Sequence, residues 1–207
     1  MLITGLEPVR GGKSVVLVID GSRRVTIEAE AAAEAKLAVG YEISATALSR
    51  LSEASRFQQA LDRALHFLEY RSRSEKEISD RLRRYGYSLE ICRRAVALLR
   101  SRKLLDDRAF AESWRDGRNH SNPRSYRMLK KELLAKGVNR ETAETVAGEV
   151  DDEASALKVA RKSASALKRL EYREFREKLG SYLQRRGFNY DVINKTVKRI
   201  WQEKQEG

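Results

Sequence analysis

One short pattern occurs three times along the chain and constrains its fold more than any other feature. An apolar residue is followed by a Leu four residues later, a Gly four residues after that, and then another apolar residue and a Ser or Asn. The three glycines are Gly86, Gly137 and Gly187, which lie 51 and 50 residues apart. A fixed period of this size is typical of stacked supersecondary units. The chain is therefore predicted to contain three similar units in tandem.

Each copy of the pattern describes a corner between two helices. In the first copy, Ile78 and Leu82 are four residues apart and share one helix face. Gly86 can adopt the left-handed conformation that ends a helix, and Ser88 is a favoured N-cap for the next one. Another helical stretch precedes each corner, so each unit is predicted to have three helices.

These units define a mainly α fold with a small β-rich extension. We predict an N-terminal extension at residues 1–44, module 1 at 45–106, module 2 at 107–152 and module 3 at 153–207. Charged residues make up 35% of the chain, and such a high ratio of charge to core favours an elongated array of small bundles over one globule.

The extension is predicted to be a β-meander followed by one helix. β-Branched stretches at Leu2–Val9, Ser14–Ile19 and Val25–Ile27 are separated by Gly-containing turns. The Ala- and Glu-rich stretch Ala29–Ala38 is predicted to be helical and to end at Gly40. This extension is expected to pack on the first helix of the array.

Local signals also predict how the helices of the array begin. The stretch Ser44–Tyr70 is predicted to be helical with a break near Ser52–Ser55. Ser74 followed by Glu77 is a capping box. The pair Asp106-Asp107 precedes a helical stretch, which indicates N-capping. It is not interpreted as a metal site, because further oxygen ligands are missing at a usable spacing.

The net charge of +12 is unevenly distributed. Residues 1–55 contain six Lys and Arg and seven Asp and Glu, whereas the rest contain 36 and 23. The positive excess therefore belongs to the helical array and indicates a polyanionic partner, most often nucleic acid. The competing interpretation is a solvated face that keeps a long protein in solution.

The sequence patterns that could suggest a catalytic, metal or cofactor site do not meet the requirements of those sites. The Gly12-Lys13-Ser14 triplet lacks the earlier glycine of a phosphate-binding loop and is followed by a strand, which favours a hairpin. Cys92 is the single cysteine and aligns with Ala143 and Ile193 in the other units, so it is predicted to be a core residue. We expect a cytoplasmic monomer that is not an enzyme, requires no cofactor and contacts no membrane.

Three segments resemble the RecX family of regulators of the bacterial recombinase RecA. The resemblance is carried by Arg71–Ile78 (RSRSEKEI) with Leu82 and Gly86, by Leu104–Ala111 (LLDDRAFA), and by the corner at Leu133 and Gly137. It implies three three-helix modules in a curved, elongated array and a non-enzymatic role. It also implies binding to the RecA nucleoprotein filament, with lower ATP hydrolysis and strand exchange, and it implies single- or double-stranded DNA as a further partner.

Eleven basic side chains of the array are the candidate contacts for these partners. They are Arg71, Arg73, Arg81, Arg84, Arg94, Arg124, Arg127, Lys130, Lys131, Arg185 and Arg186. Two other functions stay open from the residues alone: a helical DNA-binding architectural protein that acts without RecA, and a general helical interaction scaffold.

Overall fold

The computed structural model describes residues 1–167 and 169–206. Lys168 and Gly207, which fall within the predicted module 3, lie outside the described residues. The strands and helices occur in this order: β1 Ile3–Pro8, β2 Ser14–Ile19, β3 Arg23–Glu28, α1 Ala29–Glu34, α2 Ala45–Tyr70, α3 Glu75–Arg84, α4 Leu89–Ser101, α5 Asp107–Ser121, α6 Tyr126–Ala135, α7 Arg140–Gly148, α8 Asp152–Ala164, a 3₁₀ turn Ser165–Leu167, α9 Tyr172–Arg185 and α10 Tyr190–Glu206.

The mainly helical fold with a small N-terminal sheet is confirmed. The chain divides into two compact units, residues 1–71 with 78–102 and residues 72–77 with 103–207. The first unit contains an antiparallel sheet in the order β1-β2-β3. Buried Leu17 and Ile19 of β2 pack with Ile27 of β3 and with Leu48 of α2. The extension therefore packs on the first helix of the array, as predicted.

Two sequence predictions about this unit are wrong. The helix α1 ends at Glu34 and does not reach Ala38, because Lys36 adopts a left-handed φ of 49° and closes the helix four residues before Gly40. The N–H of Leu37 donates to the carbonyl of Ala32 at 3.0 Å, which completes this stop. The predicted break near Ser52–Ser55 is absent, since α2 runs unbroken over 26 residues.

The three predicted corners share one geometry. The φ angle is 84° at Gly86, 89° at Gly137 and 92° at Gly187. The N–H of the following residue donates to the carbonyl of the Leu four positions before the glycine, at 3.3, 3.1 and 3.4 Å respectively. This is the Schellman arrangement. The next helix is capped by the side chain two residues after each glycine, which belongs to Ser88, Asn139 and Asn189.

The second unit contains modules 2 and 3, each with its own core. The core of module 2 is formed by α5, α6 and α7, with Phe110, Leu129 and Leu133 buried. The core of module 3 is formed by α8, α9 and α10 around Phe175 and Leu183. In both modules the buried leucines belong to the repeated pattern, which explains why that pattern recurs.

Each corner of the second unit packs on a buried serine. Ser125 is fully buried at the start of α6. Its hydroxyl oxygen accepts from the N–H of Met128 at 3.2 Å, and its backbone N–H donates to the carbonyl of Arg186 at 3.3 Å. Ser74, also fully buried, accepts from the N–H of Glu77 at 3.1 Å and donates to the carbonyl of Lys136 at 2.6 Å. The residue before each corner glycine is thus hydrogen-bonded to the start of an earlier helix.

Paired aspartates connect the same helix starts. Asp151 caps its own helix, α8, whereas Asp152 accepts from the first N–H of α6 at 2.7 Å. Asp106 likewise caps α5, and Asp107 accepts from the first N–H of α3 at 2.8 Å. The predicted N-capping role of the pair Asp106-Asp107 is confirmed. Its second carboxylate, that of Asp107, caps α3 and not α5.

Candidate partner-binding surface

Several predicted contact residues are engaged inside the second unit. Arg186 donates to the carboxamide of Asn122 and, at 2.7 Å, to the hydroxyl of Tyr182. Arg124 Nε lies 3.3 Å from a carboxylate oxygen of Glu132, as an ion pair without hydrogen-bond geometry. These arginines therefore hold the fold together, and a partner would have to displace existing contacts to use them.

Glu144 is the centre of a small ion network on the face between α6 and α7. Lys130 Nζ lies 2.7 Å from Glu144 Oε1, and Arg140 Nε lies 2.9 Å from the same oxygen. The two cations lower the pKa of Glu144 to about 2, because their hydrogen bonds favour its charged form. The hydrogen bond to Glu144 raises the pKa of Lys130 above its ordinary value, and the nearby Arg140 charge opposes this effect.

The candidates of the first unit are also partly engaged. Arg94 forms an ion pair with Glu53 at 2.5 Å, with its guanidinium 4.8 Å from the centre of the Phe57 ring. Arg81 lies 4.5 Å from the centre of the Phe67 ring. Arg84 is exposed and donates to a carbonyl of its own helix at 3.3 Å. Such arrangements stabilise the unit while leaving some charge in water.

The two candidates at the end of α2 differ in exposure. Arg71 is exposed and ends this helix in an extended conformation. Arg73 is buried, with 9% of its surface exposed. Little of the Arg73 side chain is therefore available to a partner.

Three candidates are exposed on the second unit: Arg127 and Lys131 on α6, and Arg185 at the end of α9. Arg127 lines a cleft of about 820 Å³ between α9 and α10. This cleft brings Arg127 together with two arginines that sequence reasoning missed, Arg173 and Arg176. Arg127, Arg173 and Arg176 thus line one concave surface, and Lys131 and Arg185 do not line it.

The cleft of module 3 combines these arginines with tyrosines. Tyr172 and Tyr190 line its wall, and Glu177 is the one acidic residue among the described residues that line it. Tyr190 is 69% exposed. Asn194 hydrogen-bonds its side chain and the Arg176 charge lies close by, and together they lower the pKa of Tyr190. A cleft of this composition suits a ligand with negative charge and flat rings.

One sequence signal could have revealed this cleft. When the corners of modules 2 and 3 are aligned, Lys130 corresponds to Gly180 and Glu144 corresponds to Asn194. The ion pair of module 2 is thus replaced by a small residue and a neutral one in module 3. A position-by-position comparison of the repeats would have shown that the equivalent face is open.

Other candidate chemistries gain no support from the described part of the chain. Residues 1–167 and 169–206 contain no cluster of three His, Cys, Asp or Glu side chains that could hold a metal ion. Cys92 is fully buried, as predicted, and burial raises the pKa of its thiol. Among the described helices, none combines the length and hydropathy needed to cross a lipid bilayer.

The repeated helical corners and the basic cleft define the class: a tandem array of three-helix domains that presents arginines on its surface. Three domain models of one family match the chain in order. The first RecX three-helix domain matches residues 60–99, the second matches 106–146 and the third matches 151–197. The chain belongs to the RecX family.

Relatives with curated names agree with this assignment. The regulatory protein RecX of Prosthecochloris aestuarii is 34% identical over 143 residues, which cover 69% of this chain and 94% of the relative. That of Chlorobium limicola is 32% identical over 139 residues, 67% of this chain and 87% of the relative. That of Bacillus velezensis is 28% identical over 193 residues, which cover 92% of this chain and 73% of the relative.

Two crystal structures show the same fold. A regulatory protein RecX superposes with a TM-score of 0.68 at 20% identity, covering 95% of this chain and 98% of the other. RecX from Lactobacillus salivarius gives a TM-score of 0.61 at 24% identity, covering 70% of this chain and 97% of the other.

Proposed function

We propose that this chain is a non-enzymatic regulator of the RecA recombinase. It binds the RecA nucleoprotein filament and lowers ATP hydrolysis and strand exchange. The observation that carries the proposal is the presence of three RecX domains in a chain whose positive excess is confined to the helical array. The curated relatives are named regulatory proteins, and the resemblance to the family implies RecA as the partner.

The mechanism rests on several weak contacts that act together. The exposed cations Arg127, Lys131 and Arg185 lie on two different modules. Each one alone is a solvated charge that contributes little. Contacts made by linked modules to one filament raise each other's effective concentration, so that the array binds far more tightly than one module. An array that bridges neighbouring recombinase subunits hampers the rearrangements that accompany ATP turnover.

The test is an ATPase titration on RecA bound to single-stranded DNA, with the protein added well below one copy per recombinase subunit. We expect inhibition at these low ratios. Inhibition that requires one copy per subunit would contradict the bridging mechanism.

A charge-reversal variant locates the contact. Arg127→Glu combined with Lys131→Glu changes two exposed cations without breaking an ion pair of the fold, and it should relieve the inhibition. The matched control is Arg10→Glu with Arg23→Glu, which makes the same change of net charge on the exposed surface of the charge-balanced extension. Equal effects of the two variants would mean that net charge, and not this face, sets the inhibition.

The alternative is a DNA-binding architectural protein that acts without RecA. A protein that contacts duplex DNA through about five to eight phosphates shows a log–log salt slope of about −5 to −7. A slope of that size, together with no inhibition of the recombinase, would favour the alternative.

A further inference from the structure

The cleft of module 3 is open because of two residues that differ from their counterparts in module 2. Gly180 lies in the middle of α9, and an added Cβ would meet only Ile193 Cγ2, at 3.7 Å, which is an ordinary contact. A glycine within a helix is unfavourable relative to alanine. No clash of a Cβ requires glycine here, so its value lies in the space it leaves above the helix.

Module 2 shows what fills this space when larger residues are present. At the equivalent positions, Lys130 and Glu144 form their ion pair across the face between α6 and α7. Arg140, the counterpart of Tyr190, also bonds to Glu144. At this face module 2 therefore carries paired charges, whereas module 3 carries an open cleft.

The open cleft presents its groups along one helix face. The cleft is lined near the start of α9 by Tyr172, Arg173 and Arg176, and near the end of the same helix by Gln184. From Tyr172 to Gln184 the helix rises ~18 Å at 1.5 Å per residue. Arg173 and Arg176 lie on this face, and Arg127 of α6 lines the same cleft.

Tyr190 supplies the second element of recognition. Its side chain is mostly exposed, and it lines the cleft together with Asn194 and Arg176. A tyrosine side chain has only two χ angles, so it loses little freedom when a flat group stacks on it. Bases can stack on such a ring only when they are unpaired, because bases in a duplex are already stacked on one another.

We infer that the cleft between α9 and α10 is a binding site for single-stranded nucleic acid, with bases stacked on Tyr190 and phosphates bound by Arg127, Arg173 and Arg176. The inference stands apart from the proposed regulation of RecA, since it is tested on DNA alone. Failure of the native protein to bind a single strand, with full inhibition of the recombinase, would refute this inference only. Tight single-strand binding by the native protein, with no inhibition of the recombinase, would refute only the proposed function.

The experiment measures binding of a short fluorescent oligothymidine to the full chain by anisotropy, over a range of salt concentrations. Three phosphate contacts predict a contribution of about −2 to the log–log salt slope for a single strand. Arg173→Ala with Arg176→Ala should make the slope shallower by about 1.4. The matched control Lys178→Ala with Lys198→Ala removes two exposed cations of the same module outside the cleft, and it should leave the slope nearer to that of the native protein.

The stacking contact has its own variants. Tyr190→Ala should weaken binding about 5- to 150-fold, which corresponds to ~1–3 kcal/mol for one stacked base. Tyr190→Phe keeps the ring and should bind nearly as well as the native protein. Because Tyr190 is mostly exposed, the alanine variant is expected to fold, and circular dichroism checks this.

A charge-neutral variant closes the cleft. Gly180→Lys with Asn194→Glu installs the ion pair that module 2 already carries and leaves the net charge unchanged. It should lose oligothymidine binding at least as far as Tyr190→Ala does. The control Glu174→Lys with Lys178→Glu exchanges two exposed charges of α9 away from the cleft, and should bind like the native protein.

Three outcomes would overturn the inference. The first is native affinity in the closed variant. The second is a duplex that binds as tightly as the single strand. The third is a combined result: polyglutamate displaces the oligothymidine at equal charge concentration, and the closed variant loses polyglutamate binding. This result would assign the cleft to an acidic peptide.

Discussion

Replacing each corner glycine by alanine separates backbone strain from crowding. All three glycines have a left-handed φ, so alanine introduces strain of about 1–2 kcal/mol at each of them. Their surroundings differ. A Cβ at Gly86 would meet nothing within 4 Å, whereas one at Gly187 would meet Ser125 Oγ at 2.5 Å and Met128 Cβ at 2.8 Å.

Crowding adds a second cost at two of the corners. At Gly137 the new Cβ would meet Lys76 Cβ and also Lys76 Cδ at 2.6 Å. Overpacking of this kind costs typically about 1–3 kcal/mol. We therefore expect Gly86→Ala to lose about 1–2 kcal/mol of stability, and Gly137→Ala and Gly187→Ala to lose about 2–5 kcal/mol each.

Hydrogen exchange is the suitable assay, because modules of a repeat protein can open separately. The free energy of opening is compared at the buried amides of the affected module, with and without the alanine. Equal losses at all three corners would refute the argument, because backbone strain alone would then explain the cost and the packing of Gly137 and Gly187 on earlier helices would carry none of it.

Three further perturbations follow from single contacts. Gly180→Ala should raise stability by about 0.5–1 kcal/mol, because alanine favours a helix interior and the site is open, and thermal denaturation measures the gain. Ser74→Ala should cost about 2–3 kcal/mol, since it loses a helix cap and leaves the part-buried Lys136 carbonyl without its donor, whereas Ser88→Ala loses a cap alone and should cost about 1 kcal/mol. The folded pKa of Glu144 is about 2, below its ordinary value of 4.5, so its contribution to stability is present above pH 4.5 and is lost as the pH falls towards 2. The stability advantage of the native protein over Glu144→Gln should therefore shrink over that range, as urea unfolding at each pH can show.

Each of these has a result that contradicts it. A lower melting temperature for Gly180→Ala would mean that the alanine disturbs the contact with Ile193. Equal costs for Ser74→Ala and Ser88→Ala would remove the role of the Lys136 carbonyl. A stability difference for Glu144→Gln that does not vary with pH would show that its ion pairs contribute nothing to folding.

The local features of the fold could be predicted from the sequence because they depend on a few neighbouring residues. A left-handed glycine, the Ser or Asn two positions later and the Leu on the preceding turn lie within one stretch of chain, so their roles follow from spacing alone. Cys92 was predicted to be a core residue for the same reason, since its position in the repeat is apolar elsewhere. The end of α1 was mispredicted because lysine rarely adopts the φ found at Lys36.

The candidate site could be predicted only in outline. Net charge located the basic array, but the partner of a long side chain depends on residues that are distant in the sequence. Arg186 bonds to Asn122, 64 residues away, and Arg173 lines the same cleft as Arg127 only because modules 2 and 3 pack within one unit. The residues that the structure favours as contacts are therefore only partly those that the sequence favoured.

The paired aspartates have a consequence for how such a chain can change length. Asp152, in the first turn of α8, satisfies the first backbone donor of α6, and Gly187 leaves room for the buried serine at that same helix start. A newly duplicated copy could be added to the end of the array only if it inherited both the acidic pair and the glycine bend. Removing the last copy would expose the first amide of α6 and the Ser125 hydroxyl to water, and the start of α6 would lose the carboxylate that caps it.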